Sequence, residues 1–250
     1  MVLVSLLAAM CAAKPDPDLG LRMKDIVTSK GYPIEDHFAT TPDGFVLHMF
    51  RIPRGRQSSS GAQVAQPSKP VVFINHALLD SSWAFVANAP EESLGYILAD
   101  AGYDVWFGNN RGNSYSRNHT SLSPTTEAFW NFSFDEMALI DLPTHLNFVL
   151  EATGAENLSY VGHSQGTIQA FAGFSLEANR AVAERVNLFV AHAGLAPASS
   201  RARLKPNQNQ SAAPPVSQSL IASLHLRAVP QARARGIRPQ PARLLAQPPG

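Results

Sequence analysis

Apolar residues fall along this chain in two rhythms that alternate with one another. Gly44 to Ile52 follows the turn Pro42-Asp43-Gly44 and alternates enough to predict a half-buried strand. Pro70 to Asn75 is instead an unbroken apolar run, as a strand buried on both faces requires. Ser93 to Ala101 then shifts to helical spacing through Leu94, Ile97, Leu98 and Ala101, and Gly102 ends it. Tyr103 to Phe107 reads as the next strand. From Phe134 to Ala152, Met137, Leu139, Ile140, Leu146, Phe148, Val149 and Leu150 predict a long helix, broken or kinked at Pro143 and capped by Gly154. Leu158 to Val161 is strand-like, Thr167 to Ser175 helical, and Leu188 to Ala191 strand-like again. Strand and helix in such regular exchange predict an α/β fold, a mostly parallel central sheet flanked by helices. Arg54 to Lys69, rich in Ser, Gln, Gly and Pro, reads as a flexible insertion between strands.

The most informative residues stand between the last strand and helix. Gly162-His163-Ser164-Gln165-Gly166 is a G-x-S-x-G pattern in the setting that gives the pattern meaning. A strand reversing into a helix strains the backbone of its central residue, and glycines two residues either side leave room for the turn. The hydroxyl of Ser164 then projects from the sheet as a candidate nucleophile. The N–H of Gln165 points at the same space as a candidate oxyanion donor. His163 is expected to aim away and pack. A second donor is expected from the loop after Pro70–Asn75, His76-Ala77-Leu78-Leu79-Asp80, with Leu78 as the residue that supplies it. Asn109, Asn110, Arg111 and Asn113 follow another strand end and read as hydrogen-bonding partners of their own loop. Trp83, Phe85, Trp106, Phe107, Phe129 and Trp130 could line a lipid cleft but read first as core. His37, His48, His119 and His145 lack the spacing of a metal site, and no metal or organic cofactor is expected.

Several separated blocks carry a resemblance. Gly31-Tyr32-Pro33, Thr41 to Phe45, Leu94 to Trp106, Gly108 to Asn113, Phe132 to Met137 and the 162–167 stretch together resemble the acid lipases, the gastric and lysosomal group of α/β-hydrolases. The resemblance runs from Gly31 to about Pro197. It implies an α/β-hydrolase fold and a serine hydrolase, with no cofactor, that cleaves ester bonds of triacylglycerols or sterol esters in lipid catabolism. The expected partner is a lipid ester, with contact to a lipid interface and no nucleic acid. One position departs from the family, which has glycine after the oxyanion-loop histidine where this chain has Ala77.

In this fold the nucleophile is followed by an Asp or Glu and then a His. After Ser164 the sequence has no aspartate. Its later carboxylates are Glu177 and Glu184 and its later histidines His192 and His225. Both glutamates read as solvated helix-face charges, and His192 as a strand-end residue. The chain is therefore expected to be an N-terminal part of such an enzyme, residues 20–197, with the cap and last strands missing and little or no activity.

Composition changes sharply beyond that point. Residues 201–250 hold eight Lys or Arg, eight Pro, no Asp or Glu and no aromatic side chain, whereas residues 1–200 carry twelve basic and nineteen acidic groups. Residues 198–250 are thus expected to be a disordered, basic, Pro-rich tail. One reading makes it a replacement for a genuine C-terminal half, through a shifted frame or retained intron. The other makes it a basic arm for an anionic membrane surface, and the chain a non-catalytic lipid- or membrane-binding fragment. At the other end, Met1 to Ala13 is apolar and reads as a signal peptide, which carries the chain's one cysteine, Cys11. Sequons at Asn118, Asn131 and Asn157, with a fourth at Asn209, fit a secreted, lysosomal or vacuolar glycoprotein. No stretch is long and apolar enough to predict a transmembrane segment.

Overall fold

The computed structural model describes residues 18–56 and 69–192. The expected leader at 1–13, most of the insertion after Arg54, and the tail at 198–250 with His225 and Asn209 lie outside the described residues.

Seven strands form one sheet in the order β1-β2-β4-β3-β6-β7, with β5 also pairing to β2. Here β1 is Glu35–Thr40, β2 Phe45–Ile52, β3 Val71–Asn75, β4 Asp104–Phe107, β5 Asn118–His119, β6 Leu158–His163 and β7 Val186–His192. Strands β4, β3, β6 and β7 run parallel, whereas β1, β2 and β5 make antiparallel pairs. The helices are α1 (Met23–Ser29), α2 (Leu94–Asp100), α3 (Phe134–Glu136), α4 (Leu142–Thr153), α5 (Gln165–Phe174) and α6 (Arg180–Ala183).

The two-residue period of a strand sorts the core into two layers. Val72 and Ile74 of β3, Val105 and Phe107 of β4, and Val161 of β6 face α1 and α2, where they meet Met23, Ile26, Tyr96 and Ala99. Their neighbours Val71, Phe73, Trp106, Leu158 and Tyr160 face the other way, toward Leu142, Leu146, Val149 and Leu150 of α4 and Ala170 of α5. Each large side chain so buried contributes about 1.5–3 kcal/mol. The central strands are therefore covered on both faces, and their ends, not their faces, remain free for chemistry.

Two features depart from the sequence reading. The interruption expected at Pro143, which sits in the first turn of α4, falls just ahead of it. It is a π-helical turn, Met137–Asp141, that joins α3 to α4. Gly154, at φ 65°, does cap α4 in the left-handed conformation. The hairpin of β1 with β2 also went unforeseen. Of the six residues in β1 only Ala39 is buried, so the strand has no apolar alternation to read.

Candidate active site

Strand β6 ends at His163 and α5 begins at Gln165, leaving a single residue to make the reversal. Ser164 has φ 50° and ψ −107°, a conformation that a side chain bearing a Cβ rarely adopts. The surroundings over-determine this geometry. Its N–H donates to the His192 carbonyl of β7 at 2.9 Å, and its carbonyl receives the N–H of Ile168 at 3.1 Å. The Thr167 hydroxyl donates to the Gly162 carbonyl at 2.6 Å, and the buried Tyr160 hydroxyl to that of Gly166 at 2.8 Å. The flanking glycines are steric necessities. A Cβ on Gly162 would stand 2.6 Å from the Thr167 nitrogen, and one on Gly166 2.7 Å from the Asn75 carbonyl oxygen.

The same closeness joins the turn to the loop after β3, since the Gly166 N–H donates to the His76 carbonyl at 3.1 Å. The structure thus brings together the two segments that the sequence reading paired. Within this loop Leu79 also has a positive φ, 56°, and is 98% exposed, while Leu78 is 67% exposed. Among the described residues, the N–H groups of Leu78 and Gln165 have no hydrogen-bond partner. His76 itself is buried, and burial holds its imidazole below the ordinary histidine value against the pull of the Ala77 carbonyl and Asp80.

Beneath the turn lies a buried polar layer that sequence reasoning did not foresee. Asn75 and Asn110 both donate to Gln169 Oε1, at 2.9 and 3.0 Å. Gln169 donates in return to Asn110 Oδ1 at 3.1 Å and to the Met137 carbonyl of the π turn at 2.6 Å. Arg111 is buried and gripped from two sides. Its Nε and backbone N–H reach Asp141 at 2.8 and 3.0 Å, and its terminal nitrogens reach Asp43 at 2.6 and 3.1 Å. Its guanidinium also lies over Phe45, 4.2 Å from the ring centre. Burial pushes the Asp141 carboxyl up to about 6, although Arg111 pulls it down. Burial opposes the charge on Asp43 too, yet Arg111 and the Thr41 hydroxyl outweigh it and hold that carboxyl below its usual range. Asn109, Asn110, Arg111 and Asn113 are thus hydrogen-bonded within their own surroundings, as the sequence suggested.

The remaining candidates fall into place around this centre. His163 is half-buried, with its ring 5.3 Å from that of His192, whose side chain is exposed at the end of β7. Glu177 and Glu184 are exposed and pair with Arg180. Phe85, Trp106, Phe107 and Phe129 are core, whereas Trp83 and Trp130 stay partly exposed. Asn118, Asn131 and Asn157 are all exposed. Among the described residues none accepts a hydrogen bond from the Ser164 hydroxyl, and no helix is long and apolar enough to cross a membrane.

A sheet of this order, with a strained serine between strand and helix and free amides beside it, defines an α/β-hydrolase. The chain belongs to that family: the family model described as "alpha/beta hydrolase fold" matches residues 70–214, and one described as "Partial alpha/beta-hydrolase lipase region" matches residues 23–89. Within it the resemblance to the acid lipases holds. Human lysosomal acid lipase/cholesteryl ester hydrolase (Homo sapiens) is 46% identical over 176 residues, covering 70% of this chain and 43% of that protein. Human lipase member K is 44% identical with the same coverage. Gastric triacylglycerol lipase of Bos taurus is 44% identical over 181 residues, 72% of this chain and 44% of that protein. The chain spans less than half the length of these relatives.

Proposed function

We propose that this chain carries the nucleophile and oxyanion half of an ester hydrolase of the acid lipase type. Ser164 Oγ attacks the acyl carbonyl of a lipid ester, and the Leu78 and Gln165 amides hold the oxyanion. The alcohol departs to leave acyl-Ser164, which water then cleaves. The observation that carries this reading is the positive φ of Ser164, forced between two glycines that admit no side chain. A triacylglycerol or sterol ester is the substrate class, a reading supported by what the lysosomal and gastric relatives are named for. Such a chain works in the secretory route or the lysosome, where exposed Asn118, Asn131 and Asn157 are open to N-glycosylation.

A proton must leave Ser164 during attack, and the sequence beyond it offers no aspartate to orient a base. Losing a triad histidine or serine costs about 10⁶ in turnover in well-studied cases and losing the aspartate about 3 × 10⁴, while an oxyanion hole alone retains about 10³ over water. Turnover by this chain is accordingly weak. The lack of an aspartate after Ser164 also favours a second reading, in which the chain binds lipid without cleaving it. A fluorophosphonate probe separates the two. Labelling that disappears in Ser164→Ala supports the first, whereas an unlabelled wild-type chain that still co-sediments with liposomes supports the second.

A further inference from the structure

The imidazole of His76 is engaged at both nitrogens. Nδ1 lies 2.8 Å from the Ala77 carbonyl oxygen, which can only accept, so Nδ1 carries a proton. Nε2 lies 3.1 Å from the backbone N–H of Asn110, which can only donate, so Nε2 presents its lone pair. A second donor converges there, the Asn113 carboxamide at 3.2 Å. The carboxamide cannot swap its ends, because Asn113 Oδ1 accepts from the N–H groups of Tyr115 and Ser116, each at 3.0 Å. Its Nδ2 also donates to Asn109 Oδ1 at 2.8 Å. Chemistry and geometry therefore settle a single neutral tautomer, in a residue whose own carbonyl receives the Gly166 N–H.

We propose that Asn113 is a positioning residue: its carboxamide keeps His76 a hydrogen-bond acceptor at Nε2, and through His76 it holds the oxyanion loop against the Ser164 turn. The chemical consequence rests on the reading of Ser164 given above, but the placement does not. A proton on Nε2 would aim a third N–H at two donors inside a buried site. Burial opposes the cation as well, and the charged or titratable groups around it do not reverse this. Asp80, on the same loop, favours the cation only partly. His145, from α4, is fully buried, and burial holds its ring neutral, down to about 3. Arg111 and Asp141 are committed to each other. The loop therefore keeps its seat on acidification, a property that the Asn113 carboxamide secures together with the Asn110 N–H.

Asn113→Asp tests this by putting a carboxylate oxygen where the donor stood. The new anion faces the Nε2 lone pair and Asn109 Oδ1, and protonating His76 relieves it. The histidine value rises, so the seated loop is lost as pH falls through that raised value. Two readouts on the full chain apply between pH 7.5 and 4.5. The first is imidazole ¹⁵N NMR of His76 with amide-exchange protection of Gly166; the second is the rate of fluorophosphonate labelling. In the wild type His76 is expected to titrate below its ordinary value, held there by burial, with Gly166 protected throughout. In Asn113→Asp labelling is expected to fall relative to the wild type as pH drops from 7.5 to 4.5, by roughly tenfold for each pH unit below the raised histidine value. A wild-type His76 that titrates at its ordinary value overturns the proposal. So does a variant slowed by one factor at every pH, which is what a merely structural role predicts. If the wild type is unlabelled at any pH, the Ser164 reading falls and the NMR readout alone decides. If Asn113→Asp does not fold, Asn113→Ala decides: lost protection at Gly166 supports the proposal and wild-type protection overturns it.

Discussion

Gly166→Ala is the perturbation whose sign the structure decides most clearly. Gly166 lies in α5 near its start, and its φ is not among the positive ones. On helix propensity alone alanine there should stabilise by up to about 1 kcal/mol. The added Cβ, however, would stand 2.7 Å from the Asn75 oxygen, 3.0 Å from its carbonyl carbon and 3.0 Å from the His76 oxygen. All three are backbone atoms at the end of a central strand, and none can rotate away. Overpacking of this kind costs about 1–3 kcal/mol, so steric cost outweighs propensity and the variant loses stability. The displaced group is the loop that carries Leu78. If the loop withdraws its amide, a donor worth about 3 kcal/mol to the transition state is lost, or 10²- to 10³-fold in rate. Urea denaturation should show a lower midpoint at unchanged slope, and fluorophosphonate labelling should slow by that factor. A variant as stable as the wild type and labelled at the same rate would refute the claim that this glycine exists to admit the oxyanion loop.

Other expectations follow from the same contacts. Arg111→Met leaves Asp141 buried without its partner and should cost about 3–5 kcal/mol, checked by urea denaturation; a loss below about 1 kcal/mol contradicts the buried pairing. Asp43 has a carboxyl held below its unfolded value, so its contribution is fully present above that value and is lost as pH falls through the lower, folded one. Asp43→Asn should flatten the acid limb of stability against pH, and an unchanged limb would count against it. Tyr160→Phe removes a buried hydroxyl from the Gly166 carbonyl and should cost about 1 kcal/mol by thermal or urea unfolding. Strand β7 ends the sheet among the described residues with Leu188 and Val190 exposed, so lysine at both should reduce aggregation in light scattering.

The sequence announced the parts of the fold whose burial is written in side-chain periodicity. Val71 to Ile74 and Asp104 to Phe107 are buried throughout, and their apolar runs revealed them. Strand β1 stayed hidden because Glu35-Asp36-His37-Phe38 is held by partners rather than by burial, with Arg51 and His48 taking the carboxylates. The π turn was illegible for another reason: an i→i+5 turn uses the same residues as an ordinary helix, so only packing exposes it. At the site, the serine and its glycines were readable because their spacing is local. The Asn75–Gln169 and Asn110–Gln169 hydrogen bonds join residues 94 and 59 positions apart, a distance over which no pattern speaks.

That π turn has a consequence for how the molecule can vary. Widening the helix at Met137–Asp141 turns carbonyls outward, and side chains of the following segment claim them: Gln169 takes that of Met137 and Asn179 that of Ala138. Helix α5 lies so close that a Cβ on Gly173 would stand 2.7 Å from the Ala138 oxygen. Removing one residue from this stretch would close the widened turn into a regular helix. Both carbonyls would retract, and the scaffold under the serine would lose its docking points. The number of residues in this turn is thus as constraining as the identity of Asp141, which closes it.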